Sequence, residues 1–308
     1  MRMNKRVYGV IIIGADMANW NADFTGRPKQ TLDGRYYGSD KAAKYSIRHY
    51  WNGKGEKVLY FKRLSKADKD KGMKFLMLKE AYEKVLGKPL PSKEKKEEVL
   101  STLFEALDVK NFGCAFAVKD FNLSVAGAVQ LGQGMNIFDE SMVEMQDILS
   151  PFPSGEEETQ TSIGKQIHLS EAHYVYPFTV NPGNYDAFEE IVGETAAYTE
   201  HAYEQFKKGA MHGATQLNTV SKYNCYNELS LFVECKEGSL LHLEPLDKMV
   251  KMEKLEDNMV RYDLKAIEER LKKVQDEIEK VDVFYNPYRV QIDVNSDVIT
   301  QHNMFEHL

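Results

Sequence analysis

The densest apolar stretch in the chain is Val7-Tyr8-Gly9-Val10-Ile11-Ile12-Ile13-Gly14. A β-branched run of this length, bounded by glycines, predicts a buried central strand. A polar loop follows from Met17 to Lys29, and the segment Ser39 to Trp51 predicts a helix that Ser39 or Asp40 can cap. On that helix Ala43, Ile47, Tyr50 and Trp51 form an apolar face for docking on a sheet. Lys41, Lys44 and Arg48 are spaced three and four apart, so they share another face and predict a basic outer stripe. Lys57–Phe61 predicts a second strand.

Between residues 65 and 110 the pattern changes to Lys, Glu, Leu and Met at helical spacing. Two helices are predicted, Gly72–Leu86 and Lys93–Leu107, parted by Gly87-Lys88-Pro89-Leu90-Pro91. Strand pattern returns at Phe112–Val118 and Leu123–Gln130, with Asp120-Phe121-Asn122 as a hairpin turn. From Asn136 to Ser170 the chain is polar and without a regular period, which predicts an irregular excursion. His173–Val180 is a further strand, and Asn181-Pro182-Gly183-Asn184 ends it and caps a long helix from Tyr185 to Lys208 that Gly209 terminates. Glu228–Cys235 alternates as a strand. Leu264, Ile267, Leu271, Val274 and Ile278 trace a helix over 263–280, and Tyr288–Asp293 predicts a last strand.

With the helical insertion and the excursion set aside, the order is close to β-α-β-β-α-β. The predicted class is therefore α+β with a ferredoxin-like, RNA-recognition-like core, in which a four-stranded sheet or its loops receive single-stranded RNA.

Composition narrows the chemistry. The chain has 308 residues, 43% hydrophobic and 28% charged, enough for a sizeable core. Its net charge of −7 argues against coating nucleic acid by bulk charge, so binding has to use a local patch. One exists: Arg27, Lys29, Arg35, Lys41, Lys44 and Arg48 stand against only Asp33 and Asp40 between positions 27 and 48. The three cysteines, Cys114, Cys225 and Cys235, form no Cys-x-x-Cys and suit free thiols in a reducing cytoplasm. Arg2, Lys5 and Arg6 before Val7–Ala15 imitate a signal peptide, but the apolar run is short and ends at Asp16, so a first strand is expected. No run reaches the length of a membrane span.

Other sites are weak. The eight histidines are scattered and His-Glu-x-x-His is absent, so no metal or cofactor is expected. His201 beside Glu200 reads as a surface or packed histidine. The glycines of 127–134 lack the Lys-Ser/Thr ending of a P-loop, and Ile137 stands where Gly-x-Gly-x-x-Gly needs its last glycine. Asp23, beside Arg27 and Lys29, could touch a ribose or help cleave RNA; as a turn-forming residue it would bond its own backbone.

Three blocks resemble the Cas7 family, the backbone subunits of type I CRISPR effector complexes (Cascade) in the RAMP superfamily. The first is Val10–Lys29 with the helix 39–51, where Asn19-Trp20-Asn21-Ala22-Asp23 is similar to a family loop that often reads Asn-Pro-Asn-Gly-Asp. The second is Phe112-Gly113-Cys114-Ala115-Phe116 with Ala126–Gly132, similar to the family's Phe-Gly strand and Gly-x-Val-Gln-hydrophobic-Gly segment. The third is the excursion, the strand His173–Val180 and the helix from Tyr185. Together they cover about residues 5 to 236, and Trp20 and Ala22 depart from the family's Pro and Gly.

The resemblance implies a hand: a palm of 1–64, 111–137 and 171–308, helical fingers of 65–110, and a thumb of 138–170. It implies a cytoplasmic, non-catalytic subunit, of subtype I-B, that polymerises along CRISPR RNA and presents it for pairing with target DNA. Its partners would be adjacent copies of itself and the large, small, five-prime-handle and repeat-processing subunits. By matching position the guide contacts would be Asn19, Asn21, Arg27, Lys29, Lys41, Lys44, Arg48, Gln130, Gly132 and Gln133, with Phe138, Met142, Met145 and Phe152 on the thumb. Two other readings stay open: a type III-like subunit cleaving RNA with Asp23, and a ferredoxin-like domain that binds protein only.

Overall fold

The first strand, β1 (Val7–Ala18), is buried on both faces along most of its length, which is why its sequence is a continuous apolar run rather than an alternation. The structure is a computed structural model, and it describes residues 1–66, 72–118, 120–153 and 160–307. The short β2 (Tyr37–Gly38) leads into α1 (Asp40–Gly53), where the Ser39 side chain accepts from Ala42 N as the expected cap. The predicted strand 57–61 does not form. The Asp108 carboxylate accepts from the Leu59 and Tyr60 amides at 2.7 and 2.8 Å, satisfying them without a ladder.

The insertion holds a small ribbon, β3 (Leu64–Lys66) and β4 (Met73–Phe75), then α2 (Leu78–Leu86), α3 (Lys96–Leu103) and α4 (Leu107–Phe112). The two predicted helices are thus shorter, and part of the first is strand; the predicted span 65–110 includes 67–71, outside the described residues. The hairpin β5 (Gly113–Val118) and β6 (Phe121–Ala126) is antiparallel as expected, but it forms its own two-stranded sheet. Its Phe116 and Phe121 share a core with Tyr82, Leu86, Val99 and Leu103, so it packs with the insertion and not in the central sheet.

The predicted strand to Gln130 breaks at Gly127, and β7 (Val129–Leu131) and β8 (Gly134–Asn136) are separate strands. The excursion is regular, contrary to expectation. β9 (Val143–Pro153) and β10 (Gln160–Val180) form a long antiparallel hairpin, with 154–159 outside the described residues. The expected strand 173–180 is the far half of the 21-residue β10. Its polar composition hid a strand because a ladder pairs backbone groups whatever the side chains are.

The long helix expected after Asn181 is two: α5 (Asp186–Val192) and α6 (Glu200–His212). Gly193, at φ +68°, ends the first, and Thr199 caps the second by accepting from Ala202 N. Gly209 lies inside α6 instead of ending it, and lets Ile47 and Trp51 of α1 approach. The C-terminal third comprises β11 (Cys225–Cys235), β12 (Lys251–Lys254), β13 (Val260–Asp263), α7 (Lys265–Lys272), β14 (Ile278–Tyr285), β15 (Val290–Asp293) and β16 (Thr300–Asn303). The helix predicted over 263–280 therefore stops early, and its last residues start a strand.

The main sheet runs β16-β14-β11-β1-β10-β8-β2. One face carries Val7, Ile11, Ile13 and Ala15 against α1, α4 and α6; the other carries Tyr8, Val10 and Ile12 against the C-terminal layer of Leu246, Tyr262, Ile267 and Leu271. Both faces are thus covered, and the open sheet face on which RNA-recognition folds stack bases is filled by protein.

Candidate nucleic-acid interface

β8 and the edge strand β2 meet the N-terminus of α1 and the loop from β1 around a groove of about 650 Å³. Lys29, Thr31, Leu32, Tyr37, Lys41 and Gln133 line it. Trp20 roots the loop. It is fully buried, and its Nε1 donates to the Tyr176 hydroxyl at 2.6 Å. Gly38 and Gly134 make room for that pair, since a Cβ at either would fall within 2.5 Å of Tyr176. Asn19 donates to the Gly26 and Ile167 carbonyls, both at 3.0 Å, and Asn21 Oδ1 accepts from Ser39 N at 2.8 Å. Both asparagines act as pins that set the loop's path.

The basic residues separate into two groups. Lys29 makes no ion pair among the described residues, Lys41 is 86% exposed beside Asp40, and Arg27 is exposed on the loop. Lys44 and Arg48 are not the exposed stripe the spacing predicts. Lys44 pairs with Asp40 at 3.2 Å, and Arg48 Nε donates to the fully buried Asp108 at 3.1 Å, with its guanidinium over the Phe112 ring. Burial opposes the Asp40 charge, but Lys44, the Gln133 amide and Lys41 outweigh it and hold the carboxyl below its usual range. Gln133 brackets Asp40 by accepting from its N–H and donating to Oδ1, both at 3.3 Å.

Gln130 and Gly132 lie elsewhere. They line an apolar groove of about 300 Å³ with Tyr8, Phe178 and Leu246, and Gln130 Nε2 donates to Gly127 O. Asp23 is a turn residue: Oδ1 accepts from Thr25 N, Thr25 Oγ1 and Arg27 N. The Thr25 hydroxyl, foremost, holds its carboxyl below the usual range. Sequence reasoning missed Leu32 and Tyr37 as lining residues. The available signal was an apolar Leu32 inside the turn Thr31-Leu32-Asp33-Gly34, where it has nothing to pack on and is fully exposed.

The β9–β10 hairpin is tied to the same loop from β1 through Asn19 and the Ile167 carbonyl. Met142, Met145, Leu149 and Phe152 are all more than 40% exposed. Phe138 is not part of that row: it packs back, its ring 5.9 Å from His173 and under Lys254. His173 fixes the hairpin's base. Its Nδ1 lies 2.8 Å from Glu228, its Nε2 3.2 Å from Glu171, and Tyr262 donates to Glu228 at 2.6 Å. Burial acts against an imidazolium there, but the two carboxylates more than offset it and raise His173 to about 9. Glu171, bonded by His173 and Lys254, is lowered to about 2.

Among the described residues no group of three or more His, Cys, Asp or Glu side chains is arranged to hold a metal ion, and no helix is long and apolar enough to cross a membrane.

The sequence model of the family described as CRISPR-associated protein Cas7 matches residues 5–283. Two solved structures share the fold. A chain of "CRISPR RNA-guided surveillance complex, pre-nicking" is 14% identical with a TM-score of 0.57, over 97% of this chain and 96% of that one. A chain of "CRISPR RNA-guided surveillance complex" is 14% identical with a TM-score of 0.54, over 97% and 94%. No curated protein matches.

Proposed function

The chain belongs to the Cas7 family of CRISPR-associated proteins, and from that premise we propose that it is a guide-RNA-binding backbone subunit of a type I effector (Cascade) complex. It lines up in copies along one CRISPR RNA and presents it for pairing with target DNA. The observation that carries this reading is the groove in which Lys29, Lys41, Tyr37 and Gln133 converge at the sheet edge, in a chain that also carries a hairpin with exposed apolar residues. Lysines on a narrow track, with Asp40 held mainly by Lys44 and Gln133, suit a subunit that holds backbone rather than reads bases.

In this reading the main sheet and its C-terminal layer are the palm, the insertion of 65–110 supplies the fingers, joined by the β5–β6 hairpin that shares its core, and the β9–β10 hairpin is the thumb. Its other partners are the remaining subunits of the effector. The subunit acts without cleaving RNA: three local donors take up Asp23 Oδ1, which supports a turn role for it. The test is binding of single-stranded RNA by fluorescence anisotropy at several salt concentrations. Affinity independent of sequence, falling with salt, supports the reading. Absence of binding leaves the protein-only alternative. RNA products at a regular spacing that vanish in Asp23→Ala would establish a cleaving subunit.

A further inference from the structure

We propose that an exposed aromatic cluster around Tyr288, on the far side of the hairpin from the groove, is a second site for single-stranded RNA, holding an unstacked base. It rests on the reading of the chain as an RNA-binding subunit. Tyr288 is 77% exposed in the turn after β14, with its ring 5.9 Å from that of Phe305. Its neighbour Arg289 lies over the Tyr226 ring at 4.4 Å and donates to the Tyr226 hydroxyl at 2.9 Å. Tyr223, also largely exposed, sits in the loop leading into β11.

The turn is rigid. Asn286 Oδ1 accepts from Tyr288 N, Asn286 O accepts from Arg289 N, and Asn286 N donates to Glu228 O on β11. Tyr288 is therefore presented to solvent by a braced backbone. A fixed, exposed ring beside a second ring, with the guanidinium of the next residue in the turn held over Tyr226, suits a base with its phosphate, because every base offers a π-face and a cation meets the backbone. An apolar protein partner would leave the Arg289 guanidinium unmatched. The cluster is also continuous with the groove's loop. Asn19 N donates to Ser221 O at 2.8 Å, and Lys222 Nζ donates to Asn19 O at 3.2 Å. In the sheet order the groove lies on the β8–β2 side of β10 and the rings on the β11–β14 side of β1. One strand crossing the end of the sheet meets both.

The test uses the full chain and a synthetic single-stranded RNA carrying 5-iodouridine, with photocrosslinked peptides mapped by mass spectrometry. Anisotropy is measured for Tyr288→Ala, Tyr288→Ala with Phe305→Ala, and Tyr288→Trp. The site predicts a crosslink at Tyr288 and binding weaker by roughly tenfold in Tyr288→Ala. The slope of affinity against salt should stay unchanged, because no charge is lost, and Tyr288→Trp should restore binding. Crosslinks confined to the Lys29–Lys41 groove, with equal affinity for Tyr288→Ala, would overturn the second site and leave the RNA-binding reading intact. No RNA binding by the native chain would overturn both. Loss of self-association at unchanged RNA affinity would make the rings a protein contact and overturn the site as well.

Discussion

Trp20 and Tyr176 form a buried hydrogen-bonded pair, Nε1 to hydroxyl at 2.6 Å, that ties the first loop to the middle of β10. Burial pushes the Tyr176 phenol well above its usual range, so it stays a neutral hydroxyl able to accept from the indole. A proline at position 20 could not make this bond, and here the indole orients the loop. Trp20→Phe should cost about 1–3 kcal/mol, because the hydroxyl loses its buried donor. Trp20→Ala should cost about 3–5 kcal/mol, because it also leaves a cavity. Denaturant unfolding checks both, and equal stability of Trp20→Phe and the native chain would show that the bond contributes nothing.

Arg48 and the two groove lysines should respond to mutation in different ways. Arg48 is the ion-pair partner of a carboxylate with no exposure, so Arg48→Ala leaves the buried Asp108 charge with only the Leu59 and Tyr60 amides and should destabilise the fold by about 3 kcal/mol. Lys29→Ala and Lys41→Ala should leave melting nearly unchanged. Each should instead reduce the log–log salt slope of RNA binding by about one unit. An Arg48 variant with native stability and a reduced slope would put this guanidinium on RNA after all.

The His173 network should make stability depend on pH in two windows. His173 is raised from 6.5 to about 9, so its contribution is complete below 6.5 and fades as pH rises through 9. Glu171 is lowered from 4.5 to about 2, so its contribution is complete above 4.5 and fades as pH falls through 2. The stability difference between the native chain and His173→Gln should shrink between pH 6.5 and 9.5, by on the order of 3 kcal/mol. A difference that stays constant across that range would show that His173 is neutral in the fold.

The parts of the fold legible in the sequence are those in which side-chain pattern and burial coincide. The Val7–Gly14 run, the Ser39 cap and the apolar face Ala43-Ile47-Tyr50-Trp51 all recur as expected in β1 and α1. What was not legible depended on partners distant in sequence. The spacing of Lys41, Lys44 and Arg48 describes one helix and cannot show that Asp108, sixty residues on, claims Arg48. Gly193 carries the break between α5 and α6 in its backbone angle, while the apolar spacing on either side runs on as if unbroken. At the groove, Lys29, Lys41 and Gln133 were identified and do come together, whereas Gln130 and Gly132, three and one positions from Gln133, face a different cavity.

The hairpin provides the sharpest separation of folding from assembly. Its lower part belongs to the body: Leu169 pairs with both Ala18 and Val143, and Ile167 and Leu169 are buried. Removing all of 138–170 would therefore damage the central sheet. The upper part buries little against its own subunit, since Leu149 and Phe152 are 59% and 75% exposed. Asp147 and Lys165 face each other in the ladder, so 148–164 can be replaced by Asn-Gly, the two-residue turn that suits an antiparallel pair. The shortened chain should melt cooperatively within a few degrees of the native one. It should bind a short RNA through the groove yet fail to form regular arrays on a long one, as seen by electron microscopy. Normal arrays would mean that the upper hairpin does not join copies. Replacing only Leu149 and Phe152 by Ser tests the same point without changing the backbone. Large exposed apolar groups have no folding role there, so stability should shift by no more than about 0.5 kcal/mol per site. If arrays fail in this variant too, the side chains are the contact; if they form, the length of the hairpin is what matters.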